Sequence, residues 1–168
     1  MIEVTSQETQ GWKRLDKAAF GIIYGAIMVL SILMAAGDHP ESPVKTAVVL
    51  FGSVLAITLA KAFAELLAHA LDSGERVTRH AWRAAWHHSS PTLAVANLPT
   101  LFFLAAGFGW MGVELAALLS QGVCVALLAV LGARVGWVID GRVTPAVLGG
   151  LFAGGIGLVL ALMKVAIH

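Results

Sequence analysis

Apolar residues gather into five long runs, at about 18–36, 44–71, 92–108, 112–131 and 143–167, and polar residues are confined to the stretches between them. Each run is near the ~20 residues that a helix rising ~1.5 Å per residue needs to cross ~30 Å of hydrocarbon. The pattern predicts an all-α, polytopic membrane protein: a five-transmembrane-helix bundle that fills residues 1–168 as a single membrane domain. The stretch 76–88 has a different rhythm. Arg76, Arg79, His80, Arg83 and His87 share an arc of roughly 100°, with Val77, Ala81, Ala84, Ala85, Trp82 and Trp86 over the rest. That spacing predicts a short cytoplasmic amphipathic helix between spans 2 and 3, lying on the inner leaflet with its tryptophans at headgroup level.

Composition agrees with the pattern. Of 168 residues, 58% are hydrophobic and 12% charged, and the mean hydropathy of +0.84 lies outside the range of soluble domains. The basic residues set the orientation. With the amino terminus inside, Lys13, Arg14, Lys17, Arg76, Arg79, Arg83, Arg134 and Arg142 are cytoplasmic, against Lys45 and Lys164 outside. This bias predicts a multi-pass protein of the cell inner (cytoplasmic) membrane, amino terminus cytoplasmic and carboxyl terminus external. It also reads the small net charge as topology, with no nucleic-acid partner. The head carries Glu3, Glu8 and Asp16 as well as bases, so the first run is expected to be an uncleaved span. Cys124 is the single cysteine, which excludes an internal disulfide.

Chemistry concentrates on the second run. Thr58, Lys61, Glu65, His69, Asp72 and Arg76 fall within roughly 80° of one another at 100° per residue. A charge in a bilayer core costs about 2.5–3.5 kcal/mol on insertion scales and faces a bundle interior, a partner or a water-filled path. Lys61 and Glu65, four apart, can pair on the helix. The stripe is therefore either a polar path or a helix-packing surface, with Lys61 alternatively snorkelling to the interface. Asn97, Thr100, Ser120 and Gln121 on later spans could join Lys61, Glu65, His69 and Thr58 along a path, or hydrogen-bond between helices. A possible metal set is Glu65, His69, Asp72, Glu75, His80, His87 and His88, since imidazole and carboxylate suit divalent transition metals. Membrane docking by the same histidine-bearing segment is the competing reading. No cofactor is required, and a divalent transition metal would enter as substrate.

Gly21 and Gly25, Gly132 and Gly136, and Gly150 and Gly154 form three small-xxx-small pairs, which predict a tight bundle and a homodimer in the bilayer. Pro99 removes a backbone donor in the third run and predicts a kink.

Five spans with the amino end inside, a cytoplasmic insertion between the second and third, and Lys61-Ala62-Phe63-Ala64-Glu65 in the second span resemble the vacuolar iron transporter family. Ser89-Ser90-Pro91 with Leu93-Ala94, and Leu131-Gly132-Ala133, are similar to that family too. Small bacterial integral membrane proteins show the same organisation. The resemblance covers roughly residues 50–165 and implies a five-helix transporter with Glu65 at its metal path. The chain departs from the family in having no carboxylate at 21–24, a lysine at 61 in place of methionine, and an insertion reduced to Glu75 and three histidines. The expected function is thus a small ion, proton or metal-cation transporter or channel. The alternative is a non-catalytic membrane scaffold or accessory subunit that binds a partner helix. An enzyme is not expected, because no serine or cysteine lies beside Glu65 and His69.

Overall fold

A computed structural model describes residues 2–36, 42–74 and 78–167, with the side chains of 2–17, 73 and 164–167 left aside. It consists of five helices, α1 (Ile2–Ala35), α2 (Pro43–Ser73), α3 (Arg79–Gly107), α4 (Val113–Asp140) and α5 (Val143–Ile167), with no strand among the described residues. Each holds a segment long and apolar enough to cross a membrane.

Local chemistry explains the boundaries. Pro43 occupies the first turn of α2, where its missing N–H leaves nothing unpaired. Thr78 caps α3 by accepting from the Ala81 N–H at 3.2 Å. At the far end of α3, Gly109 takes φ +78, and the N–H groups of Gly109 and Trp110 bond back to Ala106 and Ala105. That pair of bonds closes the last carbonyls and reverses the chain within a few residues.

The separate amphipathic helix expected over 76–88 is not present. Residues 79–88 are the first turns of α3 and continue into the third span without a break; Arg76 and Val77 lie outside the described residues. Pro91 lies inside this helix. Its missing N–H leaves the His87 carbonyl without its usual donor, and the Ser90 hydroxyl takes that place at 3.3 Å. Pro99 also lies within the helix, fully buried. The other apolar runs are extended in the same way: α1 begins well before residue 18, and α4 continues to Asp140.

Neighbouring glycines give the directions of packing. Gly107 at the end of α3 lies against Val44 at the start of α2, so these helices are antiparallel. Gly21 and Gly25 of α1 meet Pro91, Thr92 and Val95 of α3 in the same order along both chains, so α1 and α3 are parallel. A Cβ on Gly25 would stand 2.7 Å from the Thr92 carbonyl oxygen, closer than any side chain tolerates. On α4, Gly132 abuts the Gly149 backbone and Gly136 the Pro145 carbonyl, while Gly150 and Gly154 of α5 face Ala129 and Ala133. All three small-residue pairs are therefore engaged in helix contacts within the subunit. They leave the expected homodimer without the support the sequence lent it, because small residues favour association only where a partner can reach them.

α1 is central and touches each of the other four helices, whereas α5 packs chiefly on α4 and, to a lesser extent, on α1. The buried residues of α3 form a seam of Ala85, Ser89, Thr92, Ala96, Pro99, Phe103 and Ala106, with Val95 buried beside it. Its alternating steps of four and three are those of coiled-coil packing. Two cores result. The larger holds Val29, Leu30, Leu50, Val54, Val95 and Phe103. A second, small core joins Ala62 and Leu66 of α2 to Ala85 of α3, with Ala81 and Trp86 packed against it.

Candidate functional site: a charged pair where α1, α2 and α3 meet

Lys61 lies on α2 between the two cores. Its ammonium is 4.0 Å from Glu65 Oε1, one helical turn on, and 4.5 Å from the centroid of the Phe20 ring on α1. The Lys61 side chain is 17% exposed and that of Glu65 36%. The Nζ atom itself is buried and has no hydrogen-bond partner in the protein. Phe20 stacks in turn on Tyr24, with centroids 6.2 Å apart.

The level of the pair follows from its neighbours. Phe20 falls near the start of the apolar run of α1, and the next residue, Gly21, touches Pro91 and Thr92, where the apolar run of α3 begins. Lys61 therefore sits about one turn inside the end of the apolar belt, and Glu65 nearer its edge.

Magnitudes bear on what the pair is for. Unit charges 4 Å apart attract by about 4 kcal/mol at an effective dielectric near 20. Bringing both into a bilayer core costs about 5–7 kcal/mol on insertion scales. A cation over an aromatic face returns about 0.5–2 kcal/mol. These terms roughly cancel at the belt's edge, so the pair contributes little net stability, as with buried ion pairs in general.

Two further polar groups share this level. Ser89 and Thr92 are fully buried on the seam of α3, and neither hydroxyl has a hydrogen-bond partner in the protein. Thr58, Ser120 and Ser31 close on the carbonyl four residues back, on Val54 at 2.7 Å, Ala116 at 2.7 Å and Ile27 at 2.9 Å. Ser89 and Thr92 do not, and the Thr100 hydroxyl, two turns further into α3, is buried and unpartnered too. A missing partner on a buried hydroxyl costs about 1–3 kcal/mol. Sequence reading passed over both residues as sites, although the seam spacing from Ala85 to Ala106 points to them.

The path expected from sequence is only partly assembled. Lys61 and Glu65 are together, and Thr58 is buried one turn away with its hydroxyl satisfied by its own backbone. His69 and Asp72 are exposed on the projecting end of α2. Asn97 is exposed on α3, a turn or more beyond Thr92 into the belt, and Gln121 is half-buried on α4. The apolar core intervenes, with Leu30, Leu50, Val54 and Phe103 fully buried. His80, His87 and His88 are exposed on α3, and Glu75 lies outside the described residues. Among the described residues no three His, Cys, Asp or Glu side chains come together as a metal-holding group. His87 and His88 are adjacent and His80 lies two turns earlier, a spacing on one helix that does not bring the three imidazoles together. Cys124 is buried among apolar neighbours.

Comparison with protein-family models, curated proteins and solved structures finds no match to this chain.

Proposed function

We propose that this chain is a multi-pass protein of the cytoplasmic membrane, amino end inside, and that it is a small transporter of ions or protons. In this reading the Lys61–Glu65 pair is a polar site open toward the inner side and closed outward by the apolar core. The supporting observation is the buried Lys61 ammonium, held without a hydrogen bond beside Glu65 and level with two unpartnered hydroxyls. Such an arrangement adds little stability, and intramembrane ionisable groups mark ion and proton pathways. The resemblance to vacuolar iron transporters supports a five-span transporter, while Lys61 beside the carboxylate opposes a divalent cation there. The test is flux through purified protein in liposomes loaded with pH-, metal- or potassium-sensitive dyes. Flux in the wild type that is lost in Glu65→Gln is expected; equal flux in both proteins overturns the reading.

An accessory-subunit role is the second reading. It is favoured by the way α2 and α3 continue past the belt around their own small core of Ala62, Leu66 and Ala85. It predicts no intrinsic flux, and a protein partner that co-purifies with the wild type and is lost on Lys61→Leu.

A further inference from the structure

Within the apolar belt α3 has a second regular face, about half a turn round from its buried seam at 100° per residue. Ala94, Asn97 and Leu101 lie there, all exposed, and half-buried Leu104 and exposed Phe108 continue the same steps of three and four. Those steps are again the spacing of a helix-packing seam. Asn97 does not suit lipid. It lies five residues past Thr92, where the belt begins, so it is about 7 Å inside at ~1.5 Å per residue. Its one-carbon stem is too short to carry the carboxamide out to water, as the stem of a lysine does. Among the described residues, the side-chain hydrogen bonds of α3 are those of Thr78 and Ser90, and the Asn97 carboxamide makes none. Hydrocarbon offers no water to replace the missing partner, so a group that both donates and accepts is wanted at this depth.

A second copy of this chain supplies that group by symmetry. Two copies inserted with the same topology run their α3 helices parallel, and a two-fold axis along the membrane normal sets each Asn97 opposite its counterpart at equal depth. A carboxamide is donor and acceptor at once, so the two satisfy each other. An unrelated helix does so only if it carries a polar group at the same level. A single asparagine in an otherwise apolar seam also fixes register and the number of strands, and Ala94, one turn away, lets the backbones come close. We propose that the Ala94–Asn97–Leu101 face of α3 joins two copies of this chain, with the Asn97 carboxamides hydrogen-bonded to each other across the two-fold axis. The glycine pairs are spent inside the subunit, whereas this face is open. The inference rests on the membrane-spanning reading and goes beyond transport.

The test is disulfide crosslinking of the full chain in liposomes, in a Cys124→Ala background and at falling protein-to-lipid ratios. Leu101→Cys is expected to give a covalent dimer, and Phe152→Cys, on the open face of α5, is not. Ala94→Cys reads the same contact from a second position if Leu101→Cys inserts poorly. Adding Asn97→Leu should weaken dimerisation about threefold to thirtyfold, the factor that hydrogen bonds between membrane helices supply. Asn97→Gln keeps the carboxamide and should hold the dimer better than Asn97→Leu does. A monomer at every ratio overturns the dimer, and equal crosslinking of Leu101→Cys and Phe152→Cys overturns this face. Crosslinking unchanged by Asn97→Leu overturns the carboxamide pair. In native membranes, a Leu101→Cys product with a different protein in place of a second copy overturns self-association. Crosslinking reads no transport, so this inference and the flux reading fail separately.

Discussion

Lys61 has the charge of an ordinary surface residue in a position that gives it few partners, and substitutions there should discriminate between charge and bulk. Lys61→Met keeps the stem against Phe20 and removes the ammonium. Replacing a partly buried ion by an apolar side chain of similar size is commonly neutral or stabilising, so the Tm should hold within a few degrees or rise. Lys61→Glu sets two carboxylates one turn apart at the edge of the belt and should lower the Tm markedly, by like-charge repulsion and desolvation together. Thermal unfolding in detergent or nanodiscs reads both, and equal behaviour of the two variants would show that the ammonium is fully solvated. The Lys61–Glu65 pairing was legible from spacing four on a helix. Phe20 was not, because a contact between α1 and α2 has no local signature in either segment. Ser89 and Thr92 carry a signature only after the seam of α3 is known to run unbroken through Pro91.

At the scale of elements, the glycines of α4 and α5 differ sharply in what surrounds them. A Cβ at Gly136 would collide with the Pro145 carbonyl carbon at 2.5 Å, whereas one at Gly122 meets nothing within 4 Å. Gly136→Val should therefore force α4 and α5 apart and destabilise by about 1–3 kcal/mol or more, the usual range for overpacking. Gly122→Val should be near neutral, with a β-branched residue replacing a glycine in a helix of large lipid-facing area. Unfolding of both variants checks this, and similar losses would mean that Gly122 is also at an interface. The existence of all five helices was legible because runs of about twenty apolar residues admit few other structures. Their lengths were not. Hydropathy ends where the apolar belt ends, but the polar turns at 79–90 and 132–140 continue as helix because they pack on neighbours. The small core at Ala62, Leu66 and Ala85 supplies such packing for α2 and α3. The purpose of the small-residue pairs was also open in the sequence, since a pair reads alike whether it faces its own bundle or a second copy.

For the whole molecule, the antiparallel order puts the ends joining α2 to α3 and α4 to α5 on one side, with Arg79, Arg83, Arg134 and Arg142 there. Single cysteines at Thr78 and Thr144, in a Cys124→Ala background, should be labelled by an impermeant thiol reagent only from the cytoplasmic side. A cysteine at Trp110, on the opposite turn, should react only from outside. The reverse pattern would invert the proposed topology and place the Lys61 site on the outer side. The arrangement of α4 and α5 bears also on how the chain is built. Only Gly141 and Arg142 separate the two helices, and their backbones touch along a glycine seam that begins directly at that turn. Such a hairpin is expected to close from its turn once both arms have been synthesised, with α5, which packs chiefly on α4 and less on α1, following the helix before it. Biogenesis would then proceed in two acts, with α1 to α3 forming the platform and the last two helices arriving as one body.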